Sequence, residues 1–213
     1  MKKILIGTHN SGKFKELSFL ISKRIKKISP NSLKIKSPKE TGKSFRANSE
    51  LKANYFSNYT KLPVISDDSG LCVASLKGKP GIYSARWAKK YGNFQKAMKI
   101  ILKKIENKKN RSATFVCSLS FKPAGRKAIT VMGKIEGKIS KKIIGTKGFG
   151  YDPIFVPKSK LVTFGQIPHR KKIMIDHRYA AFKKLKKKQK TKKNCSFQLY
   201  KCLNLELLVY YQS

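Results

Sequence analysis

The chain reads as a mixed α/β fold, because strand-like and helix-like segments interleave along it and two alternating strands in succession add a hairpin. Residues 93–105 carry the cleanest helical pattern, with Phe94, Ala97, Met98, Ile101, Leu102 and Ile105 on one core-facing stripe. Residues 113–122 and 128–139 alternate instead, through Phe115, Cys117, Leu119 and Phe121 and then Ile129, Val131 and Ile135. A turn at Pro123-Ala124-Gly125 joins them.

The other elements follow in chain order. Residues 3–7 form a buried strand. Residues 12–22 place Phe14, Leu17, Leu20 and Ile21 at helical spacing, with Glu16 in the first turn, where the helix dipole favours an acid. Residues 44–58 are a second helix, and Pro63-Val64-Ile65 is a short strand that delivers Asp67-Asp68 to a loop containing Ser69-Gly70. Asp176-His177-Arg178 opens a last helical stretch. Eight lysines follow within 183–193, so 1–187 reads as one domain of two lobes and 188–213 as an appendage.

Composition bounds the function. With 40% hydrophobic residues the chain can bury a sizeable core. It has no apolar run near the ~18 residues of a spanning helix, nor the apolar stretch of about 7–15 residues of a signal peptide. A cytoplasmic protein is expected. Cys72, Cys117, Cys195 and Cys202 include no C-x-x-C pair and stand with only three histidines, so they read as reduced structural residues and not as a zinc site. Lys and Arg number 50 against 10 acids, a net charge of +40. Such a balance suits nucleic acid; spread along the whole chain, it equally suits a lysine drift of surface positions.

Three segments carry chemistry. Gly7-Thr8-His9-Asn10-Ser11-Gly12-Lys13-Phe14 links a strand to a helix and nearly matches the phosphate-cradling G-x-x-x-x-G-K-[ST] loop. Phe14 stands where that loop needs a hydroxyl, which disfavours a standard P-loop enzyme. The segment is either a polyphosphate seat built from free N–H groups, Lys13, Thr8 and Asn10, or a capped helix start with a solvated lysine. Asp67-Asp68 and Glu40 offer the oxygen ligands that Mg²⁺ uses beside substrate phosphates, and one carboxylate could orient or deprotonate an attacking water. An isolated Asp is more commonly a turn or N-cap residue. Gly148-Phe149-Gly150-Tyr151-Asp152-Pro153 combines close backbone approach with an aromatic face that can stack a base, although Tyr151 alone reads as core. His177 and Arg178 can donate to exocyclic oxygens, which separate 6-oxo purines from adenine; His177 alone reads as a surface cap.

The ordered set Thr8-x-Asn10-x-x-Lys13, Glu40-Thr41-Gly42, Leu51-Lys52-Ala53, Asp67-Asp68-Ser69-Gly70-Leu71, Pro80 to Arg86, Gly148 to Pro153 and His177-Arg178 resembles the inosine triphosphate pyrophosphatase family over about residues 3–186. The resemblance implies an elongated two-lobed α/β fold with a central nucleotide cleft, a homodimer, and Mg²⁺-dependent hydrolysis of non-standard purine nucleoside triphosphates to monophosphate and pyrophosphate. The substrates would be those of inosine and xanthine. It implies that Thr8, His9, Asn10, Ser11, Gly12 and Lys13 form the phosphate seat, and that Glu40 and Asp68 hold the metal. Asp68 would also activate water, with Asp67 assisting. Lys52 and Ser69 would contact phosphate or sugar, and Phe149 would stack on the base. Gly150, Tyr151 and Asp152 would shape the pocket, and Lys172, His177 and Arg178 would read the 6-oxo edge. Nucleic acid is then not a required partner. The rivals are a basic nucleic-acid-binding protein and a maf-like pyrophosphatase lacking the purine-edge residues.

Four positions depart from the family pattern: Ala47 for an acid, Gln166 for glutamate, Asp176 for serine, and His9 for a small residue. None removes a residue assigned to chemistry, so activity is expected. Asp176 beside His177 is expected to raise the histidine's pKa and alter base discrimination.

Overall fold

The computed structural model describes residues 2–190; residues 191–213, most of the expected appendage, lie outside the described residues. Along the chain run β1 (Lys3–Ile6), α1 (Ser11–Leu20), β2 (Lys26–Ile28), α2 (Phe45–Thr60), β3 (Val64–Val73), α3 (Ser84–Lys90), α4 (Phe94–Lys104), β4 (Ser112–Lys122), β5 (Ile129–Ile139), β6 (Phe155–Pro157), α5 (His169–Lys172) and α6 (His177–Lys190). The strands form one mixed sheet of order β2-β1-β3-β4-β5-β6. Its first three strands are parallel and the rest antiparallel. The expected α/β class, the 113–122/128–139 hairpin and the amphipathic helix over 93–105 are all present.

Side-chain caps fix where the helices begin. The Asn10, Ser44 and Asn93 side chains accept hydrogen bonds from the backbone N–H of Lys13, Ala47 and Lys96, satisfying donors that α1, α2 and α4 would otherwise leave free. Each cap is worth about 1 kcal/mol.

Period-2 alternation then divides the sheet into faces. Ile4, Ile6, Ile65, Leu119 and Phe121 pack with Leu17 of α1 and Phe182 and Leu185 of α6. Leu5 and Val64 face the other way, onto Phe56 of α2. At the far end of the long strands a separate core gathers Leu71, Val73, Ala113 and Phe115 with Met98 and Ile101 of α4 and with Phe155 and Phe164. Apolar packing thus covers both faces of the sheet around β1 and, separately, the far end of the long strands. Between them, β3 carries Ser66-Asp67-Asp68-Ser69-Gly70. On the α2 side of the sheet, Ser49 bonds the hydroxyls of Ser118 and Ser120, each at 2.8 Å, so buried polar positions there are satisfied and not merely tolerated.

Two expectations need correction. Asp67 and Asp68 do not lie on a loop after a short strand; they sit mid-strand, opposite Leu119 and Ser118 of β4. Asp and Gly are poor strand formers, but pairing along β4 and helix-borne side-chain partners override local preference. Glu16 is not a first-turn dipole partner, because α1 begins at Ser11 and has no acid in its first turn. Its side chain is fully buried and serves as a counter-ion.

Candidate active site

The alternation of β3 sends the two adjacent aspartates to opposite faces of the sheet. Asp67 turns toward α1 and α6, where Lys13 Nζ lies at 3.3 Å and Arg178 Nε at 3.1 Å. Asp68 turns toward α2, where Asn48 Nδ2 donates to it at 3.1 Å and Lys52 Nζ lies at 3.8 Å. The pair is therefore two separate devices and not one dyad.

On the α2 side, Lys52 is 7% exposed and also bonds Glu40 Oε1 at 2.6 Å. Arg86 reaches the same residue, with Nη2 3.2 Å from the Glu40 carbonyl and 3.7 Å from its carboxylate. Glu40 and Asp68 thus stand on either side of one ammonium. Burial pushes the Asp68 carboxyl up despite Lys52 and Lys13, and Glu40 adds to the effect. Burial would likewise raise Glu40, but Lys52 beside it holds its carboxyl below the usual value. Glu40 and Asp68 are hard oxygen donors of the kind that could take Mg²⁺ together with phosphates and waters. Among the described residues no group of three or more His, Cys, Asp or Glu side chains is arranged so that it could hold a metal ion by itself.

On the α1 side, the loop after β1 crosses the flank of β3 beyond Ile65, the last residue that β1 pairs. Thr8 Oγ1 accepts from Asn10 N at 3.2 Å and Asn10 caps α1, which fixes the loop that presents Ser11, Gly12 and Lys13. His9 is turned away: its Nε2 meets Ile35 O at 2.9 Å and its Nδ1 meets Ser37 Oγ at 2.6 Å. Because Nε2 faces a carbonyl, it carries the proton and Nδ1 accepts from the serine. The imidazole ties the loop to the 30–37 segment.

Beneath this loop lies a buried cation–carboxylate network. Arg178 bonds Glu16 Oε2 at 2.7 Å, Asp67 Oδ2 at 3.1 Å and Ser69 Oγ at 2.7 Å. Lys172 meets Glu16 Oε1 at 2.6 Å, Asp152 Oδ2 at 3.1 Å and Asp176 Oδ2 at 3.5 Å. Burial alone would raise Asp67, but Lys13 and Arg178 hold its carboxyl well below the usual carboxylate range. Asp67 is therefore an ionised anchor for Lys13 and Arg178. In a chain with ten acids, six of them (Glu16, Glu40, Asp67, Asp68, Asp152 and Asp176) converge on these two clusters. Most of the chain's acids thus stand beside a cation of these clusters.

Phe149 roofs the network. Its ring lies 5.1 Å from Lys172 Nζ and 5.3 Å from Arg178 Cζ. The ring also packs on Gly12, where an added Cβ would come within 2.5 Å of it. The ring therefore joins the phosphate loop to the Lys172–Arg178 pair. Asp152 accepts from Phe149 N at 2.9 Å and holds this loop in place, and Gly150 uses a φ of 66° that favours glycine. Tyr151 is a core residue: it packs edge-on to Phe94 and donates to Ser84 O at 2.9 Å.

His177 also departs from expectation. It is 3% exposed and stacks on Phe115 at 4.8 Å, so it is not a surface cap. Burial, with Arg178 and Lys172 nearby, pushes its pKa well below the usual value. The expected rise from Asp176 does not occur, because that carboxylate is directed to the backbone of Tyr179 and to Lys172. Gln166 keeps a capping box with Thr163 that a neutral amide completes as well as a carboxylate would. Sequence reasoning missed Glu16, Asn48 and Arg86 as site residues. The available signal for Glu16 was its place beside Leu17 on a helix whose neighbours are core.

The Ham1 family model matches residues 4–188. A Caulobacter vibrioides protein named dITP/XTP pyrophosphatase is 39% identical over 86% of this chain and 96% of its own length. An Oceanobacillus iheyensis protein of the same name is 41% identical over 88% and 98%. The solved Staphylococcus aureus Ham1 protein superposes with a TM-score of 0.79 at 32% identity, covering 90% of this chain and 100% of that one. This two-lobed α/β chain, with its charged site at the middle of β3, belongs to the Ham1 family.

Proposed function

We propose that the chain hydrolyses non-standard purine nucleoside triphosphates, those of inosine and xanthine, to the monophosphate and pyrophosphate, and so cleanses the nucleotide pool. The observation that carries this reading is the split of Asp67 and Asp68 across β3. One face gathers cations beneath a phosphate loop and an aromatic roof; the other holds two carboxylates and a lysine.

The triphosphate lies along Lys13 and the α1 N-terminus, whose free N–H groups and dipole favour anions. Lys52 and Arg86 supply further positive charge for the pyrophosphate leaving group. The base stacks at Phe149, with Lys172 and Arg178 as donors toward its 6-oxo edge. Glu40 and Asp68 would hold Mg²⁺, which when bound offsets charge on the phosphates and the leaving group. Asp68, its carboxyl pushed up by burial, is suited to take a proton from water attacking the α-phosphorus. Asn48, bonded to Asp68 Oδ2, fixes that carboxylate's orientation.

Ion-exchange chromatography of inosine triphosphate digests should resolve inosine monophosphate and pyrophosphate, not the diphosphate and orthophosphate. In the same assay Glu40→Gln should raise the Mg²⁺ concentration for half-maximal rate by about 10-fold or more, since magnesium is held by only one or two carboxylates. An unchanged Mg²⁺ requirement would remove Glu40 from the metal site, and orthophosphate as product would overturn the reaction assigned.

A further inference from the structure

The Lys172 ammonium has three N–H donors and three carboxylates around it: Glu16 at 2.6 Å, Asp152 at 3.1 Å and Asp176 at 3.5 Å. Asp176 is the loosest of the three. Its Oδ1 accepts from Tyr179 N at 2.9 Å and so starts α6, while its Oδ2 is buried with no hydrogen-bond partner. Charge balance singles out the same region. Glu16, Asp67, Asp152 and Asp176 face Lys13, Lys172 and Arg178, so the buried network holds one carboxylate more than it has cations. The charged and titratable groups around Asp176 are Lys172 from α5, Glu16 from α1, Arg178 and the neutral His177 from α6, Cys117 from β4, and Asp152 across Lys172. Among the described residues, Lys172 is the one cation in ion-pair contact with Oδ2.

We propose that Asp176 is a positioning residue for base recognition: protonated, it leaves one Lys172 N–H free for the 6-oxo group of the purine, and ionised, it takes that donor and weakens binding of the base. This deepens the reading in which Lys172 meets the 6-oxo edge, and rests on it. Burial, outweighing Lys172, pushes the Asp176 carboxyl up to about 7. Raising the pH through that value ionises Asp176 and withdraws the donor. The phosphate loop and the Glu40–Asp68 pair lie outside this exchange, so it acts on KM and not on kcat.

The test is KM and kcat for inosine triphosphate and for purine riboside triphosphate, which lacks the 6-oxo group, from pH 6 to 8. Wild type and Asp176→Asn are compared; asparagine keeps the helix cap and cannot ionise, and both proteins meet the same titrating substrates. In wild type the preference in KM for the 6-oxo substrate should fall by about 5- to 10-fold as pH rises, because the protonated fraction of a group that titrates at about 7 falls about 10-fold over this range. Asp176→Asn should hold a constant preference, with kcat following wild type, and Asp176→Glu should restore the pH dependence. A 6-oxo preference with the same pH profile in wild type and Asp176→Asn overturns the role of Asp176 alone. No preference for the 6-oxo substrate at any pH overturns the base-edge reading itself.

Discussion

Replacing Asp68 with asparagine is expected to lower pyrophosphate release from inosine triphosphate by about 10³-fold or more, the upper part of the range for loss of a general base. The fold should survive, because the substitution removes a buried carboxylate whose pKa is raised by burial and keeps an oxygen facing Asn48. Steady-state rates at saturating Mg²⁺, with thermal unfolding as the control, check this. Asp67→Asn should behave differently, since Asp67 is an ionised anchor of Lys13 and Arg178 on the other face of the sheet. Its main effect should be on stability and KM. A folded Asp68→Asn protein within about 10-fold of wild type would remove Asp68 from the chemistry.

Arg178→Met should be the most destabilising of the substitutions discussed, by about 3–5 kcal/mol, because it strips the counter-ion from carboxylates that stay buried. Arg178 bridges three elements: its own α6, Glu16 of α1 and Asp67 of β3. Denaturant unfolding at neutral pH measures the loss. The pH dependence has a definite sign. Burial raises Glu16 and Asp67, but Arg178 and the nearby lysines bring both below their usual values. Their favourable contribution is therefore full above the unfolded carboxylate range and lost as pH falls through the lower folded values. The gap between wild type and Arg178→Met should narrow at acid pH, where the stranded carboxylates can bind protons. A gap independent of pH would mean that lost packing, not unpaired charge, causes the destabilisation.

Much of the architecture was legible because its causes are local. The stripe of α4, the alternation of β4 and β5 and the caps at Asn10, Ser44 and Asn93 are all written in nearby residues. β3 was read short because Asp67 to Gly70 have the local chemistry of a turn; what keeps them in a strand is β4 and the cations of distant helices. The site was legible as a set of residue types, not as a geometry. Adjacency of Asp67 and Asp68 reads as a shared site until the period of the strand separates them. Glu16 was misread because an acid near a helix start has a common local role, and nothing near it in sequence shows that Lys172 and Arg178 arrive from far along the chain. The buried state of His177 follows from Phe115, equally distant in sequence.

The most direct test of the central claim is the ratio of kcat/KM for inosine triphosphate to that for ATP, measured by pyrophosphate release with wild-type protein and Mg²⁺. A site whose donors meet a 6-oxo edge leaves those donors facing the amino group of adenine, and a mismatch of that kind is worth about 10²-fold or more. The account predicts a ratio of at least that size. Equal hydrolysis of the two triphosphates would contradict it, and would reduce the Lys172–Arg178 network to a structural brace.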